Sequence, residues 1–120
     1  MSGFENGYVY RLATEEDWAA AREAGELPWN AADERDGYFH LSRGDQAQET
    51  ARRHYEGELG LLALAIPEAA VKAKLKDETN ADGETFPHYY GRVGTDAVDH
   101  ALRLTRGMGA SYMVVARLDV

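Results

Sequence analysis

Two segments place histidines where they could do chemistry. In Asp36-Gly37-Tyr38-Phe39-His40-Leu41-Ser42 a histidine ends a short extended run, two residues before a serine. Side chains at i and i+2 of a strand share a face. On the wall of a cleft that pair can grip a polyhydroxyl group such as a ribose. Alternatively, Ser42 caps the helix that follows and His40 satisfies a nearby carbonyl. In Phe86-Pro87-His88-Tyr89-Tyr90-Gly91 a second histidine is framed by aromatics, fixed by a proline and released by a glycine. Loops on rigid scaffolds commonly carry function, and an imidazole can serve as acid, base or phosphate donor. The competing reading has Phe86, Tyr89 and Tyr90 closing the core, with His88 a surface passenger.

The helix expected after Ser42 would aim free backbone N–H groups at the same place, a natural seat for a phosphate. Gln46, Thr50 and Arg52 or Arg53 lie along it. Arg52 can hold a phosphate bidentately, or it is a solvated charge paired loosely with Glu49 or Glu56. Glu78 ends an expected strand. A carboxylate there can oppose a developing cation, or it is an edge charge in water. The candidate catalytic residues are therefore His40, His88 and Glu78. The candidate binding residues are Ser42, Gln46, Arg52 and Tyr90, the last with its ring expected to be buried.

These groups need elements to position them. Tyr8 to Leu12 alternates aromatic and aliphatic residues and reads as a strand. Thr14, followed by Glu15, Glu16 and Asp17, has the pattern of an N-cap with acids at the positive end of the dipole, giving a helix over about Thr14–Gly25. Leu27 to Arg35, with Pro28 and Trp29, reads as a loop. Gly37 to Leu41 reads as a strand, and Ser42 caps a helix over about Gly44–Tyr55. Leu59 to Ile66 is apolar throughout, as in a central strand buried on both faces, and Pro67 ends it. Lys72 to Glu78 alternates as a strand with one wet face. Asn80 to Gly83 turns the chain. Phe86 to Gly91 reads as irregular, because Pro87 restricts its neighbour and removes a donor. His100 to Leu104 and Tyr112 to Leu118 read as the last strands, with a turn over Gly107–Gly109 between them. The order is not a regular βαβα alternation. The expected class is α+β: mixed, mainly antiparallel β-sheets with two helices, in a single domain over residues 1–120.

Composition narrows the partners. The 120 residues include 13 basic and 21 acidic ones, for a net charge of −8, and no cysteine. So acidic a surface repels phosphate backbones, and long nucleic acid is not an expected partner. A few local arginines and histidines can still hold a small phosphorylated ligand. Without cysteine, disulfides and thiolate metal sites are excluded, and no two histidines stand four apart, so no metal site is expected. Neither a GxGxxG nor a GxxxxGK[ST] motif is present. No apolar run is long enough to span a bilayer, and the first residues lack the pattern of a signal peptide. The expectation is a soluble cytoplasmic protein without a membrane partner.

Taken together, the two histidine segments resemble the domain of unknown function 952 family. Asp36 to Ser42 followed by Gln46 is similar to its DGFIHLST…Q signature. Phe86 to Gly91 with Ala97-Val98 is similar to its FPHLYG…AV segment, and Glu78 stands where that family has a glutamate upstream of the loop. Tyr38, Phe39 and Tyr89 replace Phe, Ile and Leu, and Arg43 replaces a threonine. The resemblance implies a fold like that of the ADP-ribosyltransferases, which bind NAD in a cleft between two small sheets. It implies His40 and Ser42 on a ribose, Arg52 and the helix start on phosphates, His88 as acid, base or phosphate donor, and Glu78 opposite a ribosyl cation. NAD would then be a substrate. The alternative is a module that binds a small phosphorylated ligand without turnover.

Overall fold

The computed structural model describes residues 3–107 and 111–120, leaving aside the side chain of residue 45. Residues 108–110, most of the turn expected over Gly107–Gly109, lie outside the described residues.

The apolar run organises the fold. Strand β3 (Gly60–Pro67) is buried at six successive positions and pairs with β1 (Tyr8–Ala13) on one side and β6 (His100–Arg106) on the other. Strand β7 (Tyr112–Asp119) pairs with β6 and completes a four-stranded sheet in the order β1-β3-β6-β7. Alternation divides β3 between two cores. Leu61, Ala63 and Ala65 pack with Tyr10 and Leu12 against Ala47 and Ala51 of helix α3 (Gly44–His54). Leu62, Leu64 and Ile66 pack with Val9, Trp18, Phe39 and Leu41 on the opposite face.

A second sheet carries the candidate residues. It has three strands in the order β2-β5-β4: β2 (Phe39–His40), β5 (Thr85–Tyr89) and β4 (Leu75–Thr79). Its inner face, with Phe39, Leu75 and Tyr89, closes on the core that contains Leu62 and Leu64. Every pairing between the named strands is antiparallel. The molecule is an α+β fold of mainly antiparallel sheets with few helices, as expected.

Helix α1 (Glu15–Ala24) starts at Thr14, whose hydroxyl accepts the Asp17 N–H at 3.0 Å, and ends at Gly25 in the left-handed region. Four details differ from the sequence reading. Within the segment read as a loop, Ala31–Asp36 forms a short helix, α2, capped by reciprocal bonds between Asn30 and Asp33. Pro28 and Trp29 masked that box, and six residues are too few for a periodic signal. Ser42 does not cap α3: Arg43 does, with its N–H donated to the Gln46 side chain. Lys72 to Glu78 is not one strand: a helical turn α4 (Glu68–Val71) runs into a 3-10 turn over Lys72–Lys74, and β4 begins at Leu75. Phe86 to Tyr89 is ordered strand, not irregular loop. Pro87 is tolerated because its carbonyl points towards β2, where Leu41 donates to it at 3.3 Å. Backbone N and O of one strand residue point the same way, so the missing N–H falls past the end of the two-residue β2 and takes no bond from β4.

Candidate functional site

The histidines meet through register. His40 of β2 stands opposite His88 of β5, which stands opposite Lys76 of β4. Strand alternation then puts Tyr38, His40, Phe86, His88, Tyr90, Lys76 and Glu78 on the outer face of the small sheet. The Tyr38 ring stacks on His88 with centroids 3.8 Å apart and planes 16° apart. It also lies 4.7 Å from the His40 ring and 5.6 Å from that of Tyr90. The two imidazoles are 5.9 Å apart.

His40 is held from behind by a buried carboxylate. Asp33 is fully buried, and its Oδ1 lies 2.6 Å from His40 Nδ1 and accepts the His40 backbone N–H at 2.9 Å. Arg11 donates to both oxygens of Asp33, at 3.2 and 2.7 Å, and to the His40 carbonyl at 2.9 Å. The Arg11 guanidinium lies 4.0 Å over the Phe39 ring. Burial opposes the charge on Asp33, but the hydrogen bonds from His40 and Arg11 outweigh it and hold the carboxyl well below the usual range. On the other side, His40 Nε2 is 3.0 Å from Asp36 Oδ2. Hydrogen bonds from Arg35, helped by His40, lower Asp36 to about 2. Only a doubly protonated His40 ring can donate to both carboxylates.

His88 belongs to a second relay. Its Nδ1 is 2.9 Å from Glu78 Oε1, and the Tyr90 hydroxyl donates to the same oxygen at 2.5 Å. Those bonds, Tyr90 first and His88 second, pull Glu78 below its ordinary value. The bond to Glu78 in turn pushes the Tyr90 phenol up to about 12. With Nδ1–H donated to Glu78, neutral His88 carries its lone pair on Nε2, which has no hydrogen-bond partner among the described residues. That nitrogen can accept a proton. Lys76 adds a cation to the same face, its ammonium 5.2 Å from the Tyr90 ring.

His40, His88, Glu78 and Tyr90 therefore come together. Tyr90 is not buried as expected: it lies just past the end of β5 with 38% of its surface exposed, while His88, read as open to a cleft, is buried to 7% beneath Tyr38. The other three candidates are engaged elsewhere. Ser42 is buried where the chain crosses to the large sheet. It pairs with Tyr10, and its hydroxyl donates to Thr50 at 3.1 Å, not to a ribose-gripping pair with His40. Gln46 caps α3 and donates to the Thr85 carbonyl, tying helix to small sheet. Arg52 is exposed and bonded to Glu49 at 2.8 and 2.6 Å. The expected anion seat at the start of α3 has Arg43 beside it, paired with Glu68 and Asp77 at 2.9 Å each.

Sequence reasoning missed Asp33, Asp36, Tyr38 and Arg11. The Asn30-x-x-Asp33 spacing was the available signal for the first, and the i−2 relation to His40 for Tyr38.

Solved structures share this architecture. The crystal structure of protein CC0527 from Caulobacter crescentus is 31% identical to this chain, matches it with a TM-score of 0.80, and the match covers 88% of this chain and 93% of that one. The solution NMR structure of the same protein gives a TM-score of 0.77 at 31% identity, with 88% and 90% covered. No curated protein matches the chain. The family described as "Protein of unknown function (DUF952)" matches residues 12–101, which include both histidine segments.

Proposed function

Because the chain belongs to the DUF952 family, we propose for it the chemistry implied by that family's resemblance to the ADP-ribosyltransferases: the outer face of the small sheet binds an ADP-ribosyl compound such as NAD and transfers its ribosyl group. One observation carries the reading. A single carboxylate oxygen, Glu78 Oε1, accepts from both His88 and Tyr90, and the His88 ring lies 5.9 Å from a second histidine braced by a buried aspartate.

Each residue then has a part. The Asp36 carboxylate hydrogen-bonds the ribose hydroxyls, and His40, held by Asp33 through Nδ1, joins it once Nε2 gives up its contact with Asp36. The rings of Tyr38 and Tyr90 flank the sugar and its base. The bond from C1′ to the nicotinamide nitrogen breaks, and its electron pair leaves with nicotinamide. The ribosyl cation that forms faces Glu78, kept ionised by its two donors. Water or an acceptor hydroxyl adds at C1′, and its proton passes to His88 Nε2 and on to solvent. Lys76 is the cation on this face available to a phosphate. Arg52 would have to leave Glu49 to serve one.

Titration of the protein with NAD and with ADP-ribose, followed by an assay of nicotinamide release, tests the reading. Saturable binding with release of nicotinamide is the expected result. Binding without release makes the same face a module for a small phosphorylated ligand. Absence of binding to either compound removes the proposal.

A further inference from the structure

A cavity of about 240 Å³ lies beside the buried Arg11, lined among others by Trp18, Leu27, Trp29, Tyr55 and Leu64 and by none of the histidine-face residues. Three observations say what it would take. The first is an unspent hydrogen-bonding edge. Nη1 and Nη2 of Arg11 grip the two Asp33 oxygens end-on, and Nη1 also serves the His40 carbonyl. A guanidinium carries five N–H groups in a fixed plane, so the bonds made leave Nε–H and one Nη2–H, parallel on the same edge. Among the described residues Nε has no partner, although the Arg11 side chain is only 10% exposed.

The second is charge. Arg11 is already neutralised by Asp33, and the chain carries a net −8. A further anion beside this pair would leave an uncompensated negative charge in a poorly solvated place, which is costly. Asp17, at the rim and turned back to the Thr14 N–H at 3.5 Å, adds to the same bias. The edge therefore suits a neutral carbonyl oxygen. The third is shape. Both tryptophans of the chain line the space, and Trp29 is fixed by its bond to the Gly91 carbonyl at 3.2 Å. Pockets for drug-sized ligands run to roughly 300–1,000 Å³, so this smaller cavity accommodates a single ring.

We propose that this cavity is a second small-molecule site, which takes an uncharged planar ring bearing a carboxamide or lactam carbonyl, the oxygen seated on the free Nε–H/Nη2–H edge of Arg11. It stands apart from the ribosyl reading and does not need it.

Benzamide is the probe, with benzoate and toluene as controls. Tryptophan fluorescence reports occupancy, since both indoles face the space. The Nε–H resonance of Arg11 in 15N NMR of the wild-type protein reports the contact itself, and Arg11→Lys removes the edge while keeping the charge. The expected results are saturable quenching by benzamide, at least about tenfold weaker binding of benzoate and of toluene, a shifted Arg11 Nε–H, and at least about tenfold loss of affinity in Arg11→Lys. Because Arg11→Lys also disturbs Asp33, the wild-type resonance decides if that variant fails to fold. No saturable quenching, benzoate binding as tightly as benzamide, or an unmoved Nε–H while the indole signals shift overturns the assignment.

Discussion

Asp33 Oδ1 lies 2.6 Å from His40 Nδ1 and also accepts the backbone N–H of the same histidine, so one buried carboxylate fixes both the ring and the chain of residue 40. The position of the first histidine is thereby set by a side chain seven residues earlier more than by its two-residue strand.

Asp33→Asn is expected to cost about 3–5 kcal/mol, because it leaves the buried Arg11 without its counter-charge. Urea denaturation at neutral pH measures this. The wild type should also show a steeper acid limb than the variant. The carboxyl of Asp33 is held below its ordinary value in the folded state, so its contribution is full above the unfolded carboxylate range, near about pH 4, and is lost as pH falls from there. Asp36, lowered to about 2, adds to the loss between the ordinary carboxylate range and that pH. A wild-type stability that is flat from pH 5 down to pH 2 (about those limits) would contradict the argument.

Glu78→Gln keeps shape and removes charge. On the ribosyl reading, nicotinamide release should fall at least about tenfold while the Kd for NAD moves by less than about threefold, because the carboxylate opposes a charge that exists only in the transition state. Equal losses in binding and release would make Glu78 a ground-state contact.

His88 and Tyr90 should separate in stability. His88→Ala removes a ring stacked under Tyr38 and a bond to Glu78, and should cost about 1–3 kcal/mol. Tyr90→Ala, at an exposed position, should lower Tm by clearly less. Thermal melting of the two variants side by side checks the order.

Gln46 and Arg52 provide a further contrast. Gln46→Ala loses the cap of α3 and the tie to Thr85, and should cost about 1 kcal/mol. Arg52→Ala loses an exposed pair with Glu49 and should leave Tm almost unchanged. If Arg52 reaches a phosphate when ligand is bound, the same variant weakens NAD binding. An unaltered Kd assigns Arg52 to the helix surface alone.

Much of this arrangement was legible in the residues. The unbroken run of β3, the Thr14 cap and the α+β class follow from local patterns. That two aromatic-framed histidine motifs serve one site was also an expectation from the residues, but their pairing as adjacent strands was not, because Pro87 made the second segment read as a loop. What was not legible is long-range. Nothing local says that Ser42 leaves the small sheet for Tyr10, or that Arg43 is drawn to Glu68 and Asp77. Pro87 argued against a strand by its missing donor, and only the shortness of β2 makes that donor dispensable. Tyr90 looked like core because aromatics usually are. It lies exposed because its hydroxyl is bonded to a carboxylate at the surface.

β2 is joined to the rest of the small sheet by just two residue pairs, Phe39 with Tyr89 and His40 with His88, whereas β3 is laddered along both flanks. Amide protons of β2 should therefore exchange with deuterium well before those of β3, through openings that leave the large sheet intact. Such breathing would part the two imidazoles without unfolding the protein. Whatever occupies their face would then slow that exchange by closing the two segments on itself, and protection at His40 and His88 becomes a readout of occupancy that requires no knowledge of the reaction.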